Sequence, residues 1–503
     1  MLQKLQRCRC SVDILMAVSK KFHVVKPALL VIIIKFFSRL DSGPTLCALS
    51  LVLMVLAGCS VAPLPPLKPP TPDIWRNAPA RVLPLRPDLN KWWHAFGDPE
   101  LDALVDRALQ NNLEVAQAVE RLRATRLLSQ HAQDPYLPSL GIQTRDAVSP
   151  DTSTSYFLIG FDALWELPLF GAKQSADRLA QGDEERVKAD LRLAQVSLVA
   201  EVSRRWIELR SAQQMEVFLG DIQEAQREKL RLMLVRERLK LATASDVAGA
   251  RAELAQAQMA LAEPRQAINS NAQQLAVLLG QNEPDPRWLR PRPQLNLGQW
   301  QLSSVPTDLL RTRPEIASAE AEVIRAAGDL GMSQADIYPH ISLGTSLQWS
   351  LNIASNRKRA RSGDSIFSYG PGISIPLFDW GERVANAKAK SHQLQAAVLA
   401  YRQAVLQGVA EAETALGDLE QSRLREQSSL EACAAVQARL DALQQRARLG
   451  LLSKLDLESG QIEKHRVMVQ VTQASVDRSI AYIALYKALG GAPLPSETMK
   501  DSN

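Results

Sequence analysis

The residue types that carry chemistry are sparse in this chain. Its six histidines, His23, His94, His131, His340, His392 and His465, are scattered. No Cys-x-x-Cys pair, phosphate loop or Gly-x-Ser-x-Gly elbow is present. The pattern points away from an enzyme, and no cofactor or metal is expected. Carboxylates on the long polar stretches read as solvated helix faces. One residue is placed to be modified: Cys59 ends the run Leu56-Ala57-Gly58-Cys59, behind an apolar segment over 45–57.

Lys35 and Arg39, the short apolar core and the small residues before Cys59 together make a secretory signal, too short to span a membrane. Leu56-Ala57-Gly58-Cys59 resembles a bacterial lipoprotein box. That resemblance implies cleavage before Cys59 and acylation of its thiol and new amine, and two or more acyl chains give a lasting anchor. The alternative is a plain signal peptide with an incidental cysteine. A second apolar patch, Ala28 to Phe37, makes the leader long, so a start downstream of Met1, such as Met16, stays open. Removing the leader alters the charge. Residues 1–59 carry 8 of the 59 Lys+Arg and 2 of the 54 Asp+Glu, leaving 51 basic and 52 acidic residues. The net charge is then about −1 rather than +5, which removes the argument for a nucleic-acid partner. Cys8, Cys10 and Cys47 leave with the leader and Cys433 stands alone, so no disulfide framework exists.

The elements that carry the rest are long. Residues 377–492 and 169–263 contain no proline and are rich in good helix formers. Leu394, Val398, Tyr401, Val405, Val409, Ala412, Leu416 and Leu419 form one apolar stripe. Each stretch reads as two antiparallel helices joined at a tight tip, with about 70 residues, or about 100 Å, before the tip. The stretches correspond. Arg236-Glu237-Arg238-Leu239-Lys240-Leu241 matches Arg446-Ala447-Arg448-Leu449-Gly450-Leu451 at an offset of 210, as Leu279-Gly280 matches Leu489-Gly490. Leu167-Pro168-Leu169-Phe170 mirrors Ile375-Pro376-Leu377-Phe378, and Tyr136-Leu137-Pro138 lies opposite Ile337-Tyr338-Pro339 at an offset of 201. The chain is a tandem duplication. The expected segments are a leader, 1–58; a lipidated proline-rich arm, 59–97; a first repeat, 98–280; a linker, 281–304; a second repeat, 305–490; and a disordered tail, 491–503. The first helix is expected to run unbroken from about Glu100 to Gln133, and Pro264 to kink the fourth.

Between the helices the period changes to two. Odd positions are apolar in 341–352 except Thr345, likewise in 154–167 from Phe157 onward, and in 366–377; the 140–148 segment alternates more weakly. Apolar on one face and small-polar on the other fits a transmembrane β-barrel. A half-buried sheet in a soluble protein has the same period. Four strands cannot close a barrel, and open edges are forbidden in lipid, so membrane-spanning strands require oligomerisation. A dimer gives eight strands and a filled bore, a trimer twelve and an open lumen.

The run Trp92-Trp93…Phe96-Gly97-Asp98-Pro99-Glu100-Leu101…Asn111-Asn112, the two-fold repeat, the Pro-Leu-Phe strand exits and the Arg-x-x-x-Gly-Leu tip together resemble the TolC-like outer-membrane efflux proteins, in their lipoprotein branch, over about residues 56–490. The resemblance implies a mainly α fold with a transmembrane β-barrel. Each protomer would be a tandem repeat of long antiparallel helices plus four barrel strands, and a homotrimer would form an α-barrel/β-barrel tunnel. It implies passive conduction across the outer membrane of a Gram-negative bacterium, with a periplasmic adaptor and an inner-membrane pump as partners. Arg236, Arg238, Leu239, Lys240 and Leu241, with Arg446, Arg448, Leu449, Gly450 and Leu451, would form the adaptor-docking tips. Lys240 stands where the second tip has Gly450, so the second tip is expected to be the stricter contact. Asp441 would form an acidic gate at the closed end, the alternative being a surface carboxylate. A type I protein-secretion duct shares this fold, and a lipid-anchored coiled-coil spacer without a pore is a reading from another class.

Overall fold

A computed structural model describes residues 64–67, 75–77, 89–147, 156–297, 313–352 and 365–492. The leader and Cys59 lie outside these. The chain divides into two units, 1–60 and 61–503, and every element below belongs to the second. In order they are α1 (Pro99–Asn111), α2 (Leu113–Gln130), β1 (Ser139–Ala147), β2 (Tyr156–Glu166), α3 (Ala172–Arg238), α4 (Ala244–Ala260), α5 (Ala262–Leu278), α6 (Pro314–Ala335), β3 (His340–Asn352), β4 (Ser365–Ser374), α7 (Glu382–Arg448) and α8 (Lys454–Ala488).

The duplication is visible element by element. Helices α3 and α7 are 67 residues each and begin and end 210 positions apart. At 1.5 Å per residue each is about 100 Å long. Asn112 and Arg313 are the N-caps of α2 and α6, 201 positions apart. Helix α3 packs against α6, α8, α5, α2, α4 and α1, and α7 packs against α8 and α6.

Two expectations needed correction. The first helix is not continuous. Asn112 is extended (φ −67°, ψ 128°), and its side-chain oxygen accepts from the N–H groups of Glu114 and Val115, at 2.9 and 3.0 Å, so α1 stops and α2 starts there. The strand exits matched through Pro-Leu-Phe are not structural equivalents. Gly171 and Gly381 immediately precede α3 and α7, with φ +80° and +83°, so Trp380 (φ +56°) corresponds to Phe170 (φ +55°), not Phe378. The second exit is two residues longer. At Pro264 the helix is interrupted as expected: only Leu261, itself right-handed at φ −75° and ψ −13°, separates α4 from α5, and the proline sits in the first turn of α5, where its missing N–H costs nothing.

The strands form one antiparallel sheet in the order β1-β2-β3-β4. The register resolves the two faces. Ile142, Phe161, Leu347 and Phe367 share a row, as do Leu140, Ala163, Thr345 and Tyr369, and as do Trp165, Leu343 and Pro371. The opposite face carries Gly141, Asp162, Ser346 and Ser368 in one row and Gln143, Gly160 and Gln348 in another. β1 falls into line here: its even positions face the apolar side.

The main core lies where α1, α3, α5 and α8 meet. Trp92, Trp93, Phe96, Trp206, Trp288, Tyr482 and Tyr486 are buried there. The Trp92 ring stacks on Tyr486 at 5.5 Å. Asp98 caps α1 by accepting from the Glu100 N–H at 2.9 Å and also accepts from Trp206 Nε1 at 2.7 Å. The tryptophan-rich opening motif is therefore structural. Trp288, in the stretch read as a linker, is buried, and its carbonyl accepts from Gln213 at 2.7 Å.

Candidate functional site

The first tip is built by its own sequence. At the end of α3 the Leu241 N–H donates to the Arg236 carbonyl at 2.8 Å and Lys240 N–H to Glu237 at 2.9 Å. At the end of α7 Leu451 donates to Arg446 at 2.9 Å and Gly450 to Ala447 at 3.0 Å. Both are Schellman closures around a left-handed residue. That residue is Gly450 at φ +74° and Lys240 at φ +60°. Lys240 thus takes the same left-handed conformation in spite of its β-carbon, and the two tips share one backbone.

The returning helices start with matching caps. Thr243 Oγ1 accepts from Asp246 N–H at 3.2 Å while the Asp246 carboxylate accepts from Thr243 N–H at 2.7 Å, a reciprocal capping box. Ser453 and Asp456 repeat the first bond at 3.2 Å. Hydrogen bonds from the Thr243 backbone and hydroxyl hold the Asp246 carboxyl below its usual range. The signal Thr/Ser-x-x-Asp was legible in the sequence and passed over.

The tips leave apolar side chains in solvent. Leu239, Leu241, Leu449 and Leu451 are 64–74% exposed, beside exposed Arg236, Arg238, Arg446 and Arg448. The hairpins are tied together near this end. Glu228 of α3 accepts from Lys454 of α8 at 2.6 Å and from Arg231 at 2.7 Å. Bonds from Arg231 and Lys454 hold the Glu228 carboxyl at about 2. Between the hairpins runs a groove of about 650 Å³, lined by Lys229 and Glu253 on one side and by Arg439, Leu443 and Arg466 on the other. Asp441 is exposed on α7 and accepts from Gln437 of its own helix at 2.8 Å.

The other end of the chain carries the sheet. Leu140, Ile142, Phe161, Leu343, Phe367 and Tyr369 are 42–80% exposed on its apolar face. A contiguous exposed apolar patch of this kind marks a membrane or protein contact. Among the described residues the strands β1 and β4 each have one unpaired edge. Among the described residues no helix is long and apolar enough to cross a membrane. Sequence reading also missed how the arm is held. Trp75 is buried, and the Glu413 carboxylate of α7 accepts from the N–H groups of Arg76 and Asn77 at 2.6 and 3.0 Å.

Comparison with known proteins decides what this two-ended molecule is. The model of the outer membrane efflux protein family matches residues 104–281 and 305–491, covering both repeats. The chain belongs to this family. It is 28% identical over 426 residues to the pyoverdine export outer membrane protein OpmQ of Pseudomonas aeruginosa, covering 80% of this chain and 88% of that one. It is 30% identical over 423 residues to the toluene efflux pump outer membrane protein TtgI of Pseudomonas putida, covering 79% and 86%. The solved outer-membrane channel OprN superposes with a TM-score of 0.76 at 27% identity, over 87% of this chain and 100% of that one. The open MtrE channel of Neisseria gonorrhoeae shares the fold, with a TM-score of 0.74 at 22% identity. This efflux protein is therefore a channel of the Gram-negative outer membrane and a component of an efflux pump, not an enzyme.

Proposed function

We propose that three copies assemble into one conduit, twelve strands closing a barrel in the outer membrane and the long helices forming a periplasmic tunnel. The observation that carries this reading is the four-stranded sheet with one lipid-suited face and two unpaired edges. A lone sheet leaves unpaired N–H and C=O groups in hydrocarbon, each costing several kcal/mol. The polar face, with Asp162, Ser346, Gln348 and Ser368, then lines the lumen. Small molecules pass through it passively, driven by the inner-membrane pump. Relatives named for pyoverdine and toluene support a range of organic solutes.

In this reading Arg236, Arg238, Leu239, Lys240 and Leu241, and Arg446, Arg448, Leu449, Gly450 and Leu451, dock the periplasmic adaptor. Among the described residues nothing covers these leucines at the rod tip. Asp441 contributes an acidic ring near the periplasmic end, and acylated Cys59 anchors the arm in the outer membrane's lipid. The test is light scattering of the purified, detergent-solubilised protein together with conductance in planar bilayers. Three-chain particles with discrete conductance steps are expected; monodisperse single chains without conductance would overturn the reading. For the anchor, Cys59→Ser should abolish labelling by fatty acid, and unchanged labelling would remove it.

A further inference from the structure

The groove between the two hairpins is lined by corresponding positions of the two repeats, and there the repeats part company. Gln226, Lys229, Glu253 and Gln256 line one wall; 210 positions on, Val436, Arg439, Glu463 and Arg466 line the other. On the first wall the charges are spent, since Lys229 and Glu253 bond at 2.7 Å. On the second wall Arg439 and Glu463 are exposed and form no ion pair among the described residues. Arg466, where the first wall has Gln256, adds a second guanidinium that is likewise exposed and without an ion pair. The second wall therefore offers two free cations against one free carboxylate, a net charge of one positive unit.

Facing them is a buried polar atom with nothing to bond. Gln226 is 3% exposed, and its Oε1 has no hydrogen-bond partner among the described residues. An acceptor that has left water without gaining a donor carries an uncompensated desolvation cost. Its counterpart in the second repeat is Val436, which has no such need. The glutamine is thus a departure from the repeat that only a donor placed in the groove makes good.

The floor is apolar. Leu440 and Ile462 are buried, and Val436 and Leu443 are half-buried. Leu443 reaches across to α8 at Gly460, where a β-carbon would stand 2.9 Å from its Cδ1. The space, about 650 Å³, has the size of a small-molecule site, which spans roughly 300–1,000 Å³.

We infer that this groove is a binding site for a small organic acid that carries one negative charge and an N–H donor beside apolar groups. The acid group takes Arg439 and Arg466, whose guanidinium forks suit a carboxylate. The N–H donates to Gln226 Oε1, and the apolar groups lie on Leu440, Leu443 and Ile462. All of the lining comes from one chain, so the site does not depend on how many copies assemble. Its occupant touches α3 and α4 on one side and α7 and α8 on the other. It therefore bridges the hairpins along the seam that Glu228 and Lys454 close by their bond at 2.6 Å.

The experiment uses the full chain in detergent, in a Cys433→Ser background carrying Ser459→Cys, a groove position that is exposed. The probe is acetyl-leucyl-leucine, which has a free carboxylate, amide N–H groups and apolar side chains. It should slow the reaction of residue 459 with a water-soluble maleimide in a saturable way. Acetyl-leucyl-leucinamide, which lacks the negative charge, should protect far less. Arg439→Gln with Arg466→Gln should raise the half-protecting concentration about tenfold, and so should Gln226→Leu. The arginines are exposed, so their replacement leaves the fold intact and carries the test should Gln226→Leu fail to fold. A cysteine at Ser270, on α5 and outside the groove, should react at the same rate with and without the probe. No saturable protection, equal protection by the amide, equal protection at position 270, or protection that the substitutions leave unchanged would each overturn the site.

Discussion

At the residue scale the tips pose a test of backbone cost. Lys240 holds φ at +60° where the second tip has Gly450 at +74°. A residue with a β-carbon pays roughly 1–2 kcal/mol in the left-handed region. Lys240→Gly should therefore stabilise the first tip by about 1 kcal/mol, read as slower hydrogen exchange at the ends of α3 and α4. A β-carbon on Gly450 would meet nothing within 4 Å, and aspartate tolerates this region better than most residues. Gly450→Asp should then leave trimers in the outer membrane and yet abolish adaptor cross-linking and efflux, while Lys240→Asp does less harm. Normal cross-linking by Gly450→Asp trimers would show that the tip is only a turn. Two carboxylates nearby respond to pH in opposite senses. The bonds from Arg231 and Lys454 that hold Glu228 at about 2 contribute stability above the ordinary carboxyl range, lost as pH falls towards 2. Burial raises the Glu458 carboxyl above its usual range. Its folded form holds the proton more tightly, so stability is lost as pH rises from the ordinary carboxyl value through the raised one. Glu458→Gln should therefore raise the melting temperature at pH 7, with the gain vanishing below about pH 4, near the ordinary carboxyl value.

At the scale of elements, patterning revealed most of the architecture. The long helices, both tips and three of the four strands follow from proline-free runs and period two. β1 was weak because its apolar residues, Leu140 and Ile142, are followed by Thr144 on the same face. The break at Asn112 escaped because the apolar pattern continues across it, and only the side-chain cap and the fit of Gly280 against the Asn111 carbonyl reveal the turn. Close packing of α3 on α6 was equally invisible, since glycines within a helical run read as tolerated defects. Gly328→Leu should force these helices apart and cost roughly 1–3 kcal/mol or more, seen as a lowered melting temperature, because Leu179 and Ser175 offer only backbone to move. For the sheet, Leu343→Arg places charge on the apolar face and should cost roughly 2–4 kcal/mol at mid-membrane, reducing trimer recovery. Ser342→Arg, on the other face, should be tolerated, and equal recovery of the two variants would argue for a sheet that never meets lipid.

At the scale of the whole molecule, the duplication was readable as matched offsets, but where its two halves differ was not. The offsets place Trp380 where Phe170 lies. Phe170 stacks on Tyr338 at 4.6 Å, whereas Trp380 is 90% exposed. Trp380 instead meets Phe378 of its own exit at 4.7 Å. Among the described residues β2 is paired on both sides, whereas its counterpart β4 is paired on one. A single chain released into detergent or lipid thus bares two sheet edges and an apolar sheet face at once. Hydrocarbon cannot satisfy the edges, so a folded single chain should have little stability of its own. When folding and assembly are linked in this way, the melting temperature depends on protein concentration. The expected result is one transition in which helical and strand signals are lost together with the trimer, at a temperature that rises as the protein is concentrated. Dilution that yields a monomer with undiminished circular dichroism, melting at the same temperature at every concentration, would show that the fold stands without its neighbours and that the exposed faces serve something other than the assembly.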